Sequence, residues 1–433
     1  MYHETSKLGY YCPGNKNTIM EGEIEMSRNI AVVLVGIGGY GNIYLEDLLE
    51  QGQKEGVQIV GAVDPQPQGC RYLEQIKELG IPVYDSLEDF YAQSKADLAI
   101  ISSPIQFHCQ QTCLALFHGS HVLCEKPVAA TIQEVRQMEE ARNRAGLFVD
   151  IGYQWSHSPV IQSLKYDIQQ GVLGQPKRLK TIVLWARDQN YFNRAAWAGK
   201  KRDAKGNWIL DSVANNATAH YLHNMFYVLG EQIDQSVRLA EVMAELYRAN
   251  PIENFDTAAI RAKTNEGTEI LFLATHAVDV HPSPQFCYEF EKADVVYADP
   301  NIPQSQENIV ALFHDGRVKT YGNPNKNDTR KMWMAVEAIR GDSKIICGLE
   351  AASSHTICIN AAQESMPKII DFPTSFIRRN EEREITWVEG LKETFRTCFV
   401  QGKLPSELDA PWAKSAKKIN VEKYNFFRGD GIE

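Results

Sequence analysis

The sequence predicts an α/β protein, with a doubly wound parallel sheet at its N-terminal end and a second domain rich in antiparallel strands. Three observations predict it. Apolar runs alternate with helix-length segments from Ile30 onward, a glycine-rich turn follows the first run, and the C-terminal half places Glu-Gly and Asp-Gly turns between strand-like runs.

The first run, "IAVVLV" (30–35), is continuously apolar, as a strand buried on both faces must be. "VGIGGYGNIY" (35–44) follows it and opens a helix-like segment over 40–51. Its glycines Gly36, Gly38 and Gly41 have G-x-G-x-x-G spacing, in which the first makes a tight turn, the second admits a phosphate and the third lets helix and strand pack. Gly39 and Tyr40 complete the loop. The second strand, "VQIVGAV", ends at Asp64, near the ~20-residue spacing at which a carboxylate reaches adenosine ribose hydroxyls. Strand, helix and acid together predict a dinucleotide site, and NAD over NADP, because a carboxylate repels a 2′-phosphate.

"DLAIIS", "HVLCE" and "LFVDIGY" read as further strands, with helices over 107–118 and 131–145. "SSPIQFHC" and "GSHVLCEKPVAAT" fall at strand carboxyl ends, where the ligand crevice of such a sheet lies. Pro127 disfavours helical backbone at Lys126, so the lysine is either held extended toward that crevice or is a surface lysine ahead of a helix. Downstream, "IRAKTNEGTEILFLATHAV" and "NIVALFHDGRVKTYG" read as hairpins, and "KMWMAVEAIRG" and "EITWVEGLKETFRTCFVQG" as amphipathic helices.

Composition bounds the function. The chain has 433 residues, 44% hydrophobic and 23% charged, enough for two or three domains. A net charge of -10 argues against nucleic acid or anionic membrane as partner, and no apolar run is long enough for a transmembrane helix. Nine cysteines without C-x-x-C spacing suit reduced thiols in a cytoplasmic protein, and Cys109 and Cys113 read as core. Residues 1–28 lack a secretory apolar core and read as a disordered extension, with translation expected to start at Met26. The expected domains are 29–150 for the dinucleotide and 151–400 for substrate, with a polar tail over 401–433 that wraps a surface or partner.

Between 150 and 210 aromatic residues, Trp155 and Tyr191 among them, interleave with hydrogen-bonding groups such as His157, Arg187 and Arg194. That mixture suits a carbohydrate, whose C–H faces stack while its hydroxyls need partners. "GKKRDAKG" (199–206) reads as a solvated loop, with a uronate carboxylate as its alternative ligand.

Gly36-x-Gly38-x-x-Gly41, Pro104-x-x-x-His108, "HVLCEKP" and "GYQWSHSP" occur in that order, followed by "GNWILD" and "HYLHNMFYVLG". Together they resemble the glucose-fructose oxidoreductase, inositol dehydrogenase and rhizopine catabolism (Gfo/Idh/MocA) family over roughly residues 30 to 370. The resemblance implies an N-terminal Rossmann domain, and a C-terminal α/β domain with a large, mostly antiparallel open sheet that serves as a homo-oligomer interface. It implies NAD bound by the glycine loop, Asp64, Ser103, Pro104, His108, Glu125 and Lys126. It further implies hydride exchange with a carbinol carbon of a sugar, cyclitol or related polyol, with Lys126 polarising the hydroxyl and His220 as acid/base.

One departure matters. The family's Asp-x-x-x-His would put an aspartate where Asn216 stands, while Asp211 follows "GNWIL" and leaves "SVANN" inserted before His220. Either Asp211 keeps the role on a longer loop or Asn216 replaces it. His223 is also unusual, and with Trp155, His157, Arg187 and Asn216 it is expected to touch substrate. A metal held by His157, Asp211, His220 and His223 is disfavoured, so no metal is expected. Two other functions stay open: an NAD-retaining enzyme that cleaves glycosides by oxidation, elimination and re-reduction, in which His223 moves a second proton, and a non-enzymatic sensor.

Overall fold

The computed structural model describes residues 29–326 and 328–429; the extension over residues 1–28, with the proposed start at Met26, lies outside the described residues. Strands β1 (Ile30–Val35), β2 (Val57–Val63), β3 (Val83–Tyr84), β4 (Leu98–Ile101), β5 (His121–Cys124) and β6 (Val149–Ile151) form one parallel sheet in the order β3-β2-β1-β4-β5-β6. Between them run α1 (Gly41–Gln51), α2 (Leu73–Glu78), α3 (Leu87–Gln93), α4 (Ile105–Phe117) and α5 (Ile132–Ala145). The order reverses between β1 and β4, which opens the crevice at their carboxyl ends.

Alternation along β1 fills two cores. Val33 and Val35 pack with Phe90, Ile101 and Val135 on one face, while Val32 and Leu34 pack with Tyr44, Leu45 and Leu48 of α1 on the other. The second core also takes Met332, Ala335 and Val336 from α9 (Arg330–Arg340). The dinucleotide domain is therefore discontinuous: a helix from beyond residue 300 closes its sheet, because its apolar stripe finds the complementary face there.

Among the described residues the second sheet has ten strands, nine of them on one path. β7 (Pro176–Leu184), β8 (Leu239–Arg248), β9 (Thr257–Thr264), β10 (Glu269–Thr275), β11 (Gln285–Phe290), β12 (Ala293–Tyr297), β13 (Ile309–Phe313), β14 (Val318–Gly322) and β15 (Ile370–Asp371) run in the order β14-β13-β12-β11-β7-β10-β9-β8-β15, and the tenth, β18 (Ile419–Asn420), pairs with β8. Its pairings are antiparallel except β7 with β10 and β8 with β15, and both expected hairpins form. Around it lie α6 (Pro159–Gln169), α7 (Gln189–Asn193), α8 (Ala219–Tyr227), α10 (Leu349–Ser365) and α11 (Leu391–Gln401). "EITWVEGLKETFRTCFVQG" is not one helix. Its first part pairs as β17 (Ile385–Val388) with β16 (Ile377–Asn380), and α11 starts only after Gly390.

The sheet is open at its edges, and part of one face is covered by the chain itself. Ile182, Leu184, Leu271 and Leu273 on that face are buried by Phe395, Cys398 and Phe399 of α11 and by Trp412. Each such side chain contributes about 1.5–3 kcal/mol of apolar burial, so the chain's own C-terminal segment covers this part of the sheet. The tail wraps its own chain: β18 (Ile419–Asn420) pairs with β8, and Phe427 packs on Trp208. The cysteines described are all free, with Cys109 buried and Cys113 half-buried, and no helix described is long and apolar enough to cross a membrane.

Candidate active site

An open cleft of about 640 Å³ lies at the carboxyl ends of β1, β2, β4 and β5. From the parallel sheet it is lined by Gly36, Gly38, Gly39, Tyr40, Asp64, Ser103, Pro104, His108, Glu125 and Lys126, and from the second domain by Arg187, Tyr191, Arg194, Trp197 and Asn216. Two of the motif glycines are required by the protein's own packing. Gly36 has φ +80 and a Cβ there would meet the Ser103 backbone at 2.8 Å, while a Cβ on Gly41 would overlap the Gly36 carbonyl. Gly38 is different: its added Cβ would find only Gly69, at 3.7 Å. Its bareness serves space in the cleft, which is what a phosphate approaching the backbone needs, and so the loop fits a dinucleotide. Asp64 accepts from Ile37 N at 3.1 Å and Gln66 N at 2.8 Å, which fixes its carboxylate at the cleft's edge.

His108 joins the two loops around the crevice. One ring nitrogen meets the Pro127 carbonyl at 2.9 Å and the other the Ser103 carbonyl at 2.8 Å. Below it, Asn360 of α10 clamps the start of α5 by donating to Ala130 O and accepting from Ile132 N, each at 2.9 Å. The Lys126 loop is thus held from both sides.

Lys126 donates from Nζ to the backbone carbonyl and the side-chain Oδ1 of Asn216, each at 3.0 Å. Burial pushes its ammonium down to about 8, with Lys331 and Arg194 adding to the shift and Glu125 and Asp211 opposing it. Asn216 in turn donates from Nδ2 to Asp211 Oδ1 at 2.8 Å. Asp211 Oδ2 accepts from Gly199 N at 2.6 Å and lies 3.6 Å from Arg194. The two registers left open by the sequence are therefore joined: Asn216 touches the lysine and Asp211 acts through Asn216.

His220, at the start of α8, is half-buried, with its Nδ1 enclosed and without a partner among the described residues. Burial drives it well below the usual histidine value, and the Lys126 and Lys331 charges drive it further. It is a neutral imidazole in the neutral range.

Three expected substrate contacts lie in the interior instead. Trp155 is 2% exposed and donates to Asn325 at 2.9 Å; His157 pairs with Asp150 at 2.9 Å; His223 is 1% exposed, bonded to Ser156 Oγ at 3.0 Å and stacked on Tyr153 at 3.8 Å. The short helical turn 154–157 and the inward face of α8 carry these side chains into the interior, where Asn325, Asp150 and Ser156 take up Trp155 Nε1, His157 Nε2 and His223 Nε2. With those side chains spent, no group of three or more potential metal ligands converges among the described residues.

Sequence reasoning missed Lys331. Burial would raise the Glu125 carboxyl, but Lys331, Tyr44 and Lys126 outweigh it and hold it below its usual value. Lys331 bonds Glu125 directly and Gly152 O at 3.0 Å, and Tyr44 donates to the same carboxylate at 2.6 Å. Glu125 is thereby committed to the protein, at the foot of the cleft. Nothing in "KMWMAVEAIRG" distinguishes this lysine from a solvated one.

Residues 30–153 match the family described as Oxidoreductase family, NAD-binding Rossmann fold (GFO_IDH_MocA). An uncharacterized oxidoreductase of Synechocystis is 28% identical over 197 residues, 46% of this chain and 50% of that protein. The 1,5-anhydro-D-fructose reductase of Ensifer adhaerens is 25% identical over 158 residues, 36% of this chain and 44% of that protein. The chain thus spans about half or less of the curated relatives it matches. Among solved structures, the WlbA dehydrogenase from Bordetella pertussis, in complex with NADH and UDP-GlcNAcA, aligns with TM-score 0.63 at 20% identity, covering 78% of this chain and 97% of that one. Glycine loop, strand order and family match agree: residues 30–153 form an NAD-binding Rossmann domain of the kind found in the Gfo/Idh/MocA oxidoreductases.

Proposed function

We propose that the protein oxidises, or in reverse forms, a secondary alcohol carbon of a sugar, cyclitol or related polyol with NAD. The observation that carries this reading is Lys126: an ammonium depressed to about 8, fixed by Asn216 in the cleft that the bare Gly38 loop opens. Bound along Gly36 to Gly41 and Asp64, NAD would supply the acceptor for the hydride that leaves the carbinol carbon.

The chain's residues do the rest. Lys126 donates to the substrate hydroxyl oxygen and stabilises the negative charge that grows there as its proton departs. His220, neutral and within the field of the Lys126 charge, takes that proton and returns it in the reverse direction. Asn216 and Asp211 orient the lysine, and Tyr191 and Trp197 line the same cleft, where their rings carry the Arg187 and Arg194 guanidinium groups. The elimination reading loses its motive, because His223 is interior and bonded to Ser156.

The test is incubation with NAD and a panel of free sugars, inositols and aryl glycosides, following reduced cofactor by absorbance. Reduced cofactor should appear in amounts matching polyol consumed. Aglycone release without it would overturn the reading.

Cofactor choice follows from Asp64. With its carboxylate anchored at the cleft's edge, NADH should bind about tenfold or more tightly than NADPH by calorimetry, a difference of ~1.4 kcal/mol. Equal or tighter NADPH binding would remove Asp64 from that role.

A further inference from the structure

We propose that the substrate is an acid, a sugar or cyclitol carrying a carboxylate, and that Arg187 receives that carboxylate. The proposal deepens the oxidoreductase reading and rests on it.

The chain is acidic overall, at -10, yet the groups lining the substrate end of the cleft are cationic: Lys126, Arg187 and Arg194. The carboxylates nearby are already engaged. Glu125 is held by Lys331 and Tyr44, Asp64 by two backbone amides, and Asp211 by Gly199, Asn216 and Arg194. Arg187 differs from its neighbours. Among the described residues it makes no ion pair with a carboxylate, its Nε is enclosed without a hydrogen-bond partner, and the guanidinium's polar neighbour is the uncharged Tyr191 hydroxyl.

Its position is nonetheless set. The guanidinium lies 4.8 Å from the Tyr191 ring and 5.4 Å from the Trp185 ring, so two aromatic side chains hold it at the cleft wall. A guanidinium presents donors in a planar fork that matches a carboxylate, and a partly buried one left unpaired costs free energy until an anion arrives. The field is already felt locally: burial, then Arg187, pushes His276 down to about 3, so that imidazole adds no competing charge. The basic loop "GKKRDAKG" does not offer a better site. Arg202 there lies on Trp208 at 3.2 Å and donates to the Gly206 carbonyl at 2.7 Å, closing the loop on itself.

The test uses the full chain saturated with NADH. D-glucuronate is titrated against D-glucose, and D-galacturonate against D-galactose, by calorimetry, with the native protein, Arg187→Gln and Arg187→Lys. The acid of a pair should bind about tenfold or more tightly than its neutral parent, as a charge-assisted hydrogen bond gives. Arg187→Gln should abolish that preference, Arg187→Lys should keep part of it, and all three proteins should bind NADH alike. No preference for the acid in either pair overturns the proposal, as does a preference that survives Arg187→Gln. So does weakened NADH binding in Arg187→Gln, which would assign the arginine to the cofactor's pyrophosphate. Reduced-cofactor formation is scored separately: an acid that binds through Arg187 without being oxidised supports the anion site and counts against the oxidoreductase reading.

Discussion

Lys126→Met cuts turnover by about 10²- to 10⁴-fold, leaves NADH binding within a few-fold, and raises rather than lowers the melting temperature at neutral pH. The loss follows from removing the group that faces the reacting oxygen. The gain in stability follows from linkage. Lys126 titrates at about 8 in the native protein and at 10.5 unperturbed, so between those values the unfolded chain binds more protons and native stability rises with pH. Below that window the native state carries the full cost of an enclosed ammonium, which methionine, of similar length, relieves. The same value sets the alkaline side of the rate profile: kcat falls above about pH 8 as the ammonium discharges. His220 adds no limb near 6.5, because burial and the lysine charges keep it neutral well below that. His220→Ala should lose turnover on a similar scale, since His108, the histidine that lines the cleft, has both ring nitrogens taken up by the Pro127 and Ser103 carbonyls. Near-normal turnover in either variant would remove that residue from the chemistry, and a melting temperature several degrees lower in Lys126→Met would show the lysine to be structural.

The parts of this fold that were legible in the sequence are those in which one local rule decides. The run Ile30 to Val35, the three glycines and Asp64 each carry their own constraint, so strand, loop and acid could be placed without knowing what packs on them. The Asp211 and Asn216 ambiguity was legible as an ambiguity, and its resolution needed the loop in three dimensions, where both side chains act in series. Residues on short helical elements were misread. Whether His223 or Trp155 faces the cleft depends on the rotation of α8 and of the turn at 154–157, and one residue of rotation moves a side chain from pocket to core. The covered sheet face was illegible for another reason: α11 and Trp412 are distant in sequence from the strands they bury, and an amphipathic helix does not name its partner.

The same long-range blindness hid Lys331, whose replacement should have the largest effect on stability. Lys331→Met leaves the Glu125 carboxylate enclosed beside Lys126 with only the Tyr44 hydroxyl and the Lys126 backbone amide as direct partners. Breaking one side of a buried pair costs about 3–5 kcal/mol, far more than such a pair contributes over an apolar substitute. The pH dependence identifies the cause. In the native protein Glu125 lies below its unperturbed 4.5, so its contribution is present above that value and lost as pH falls through the depressed one. Without Lys331, burial dominates and lifts the carboxyl, so the variant is penalised most at neutral pH and recovers part of its deficit as acid protonates Glu125. Glu125→Gln combined with Lys331→Met should regain more than half of the loss, because the amide needs no counter-charge. Activity reports the same contact by a second route: Lys331 pushes Lys126 and His220 down, so the residual activity of Lys331→Met should show its alkaline limb displaced to higher pH. Urea unfolding of the single and double variants at neutral and mildly acidic pH is the measurement. A single variant within about 1 kcal/mol of the native protein at neutral pH, or a double variant no better than the single, would show that the Glu125 charge is neutralised by something other than Lys331.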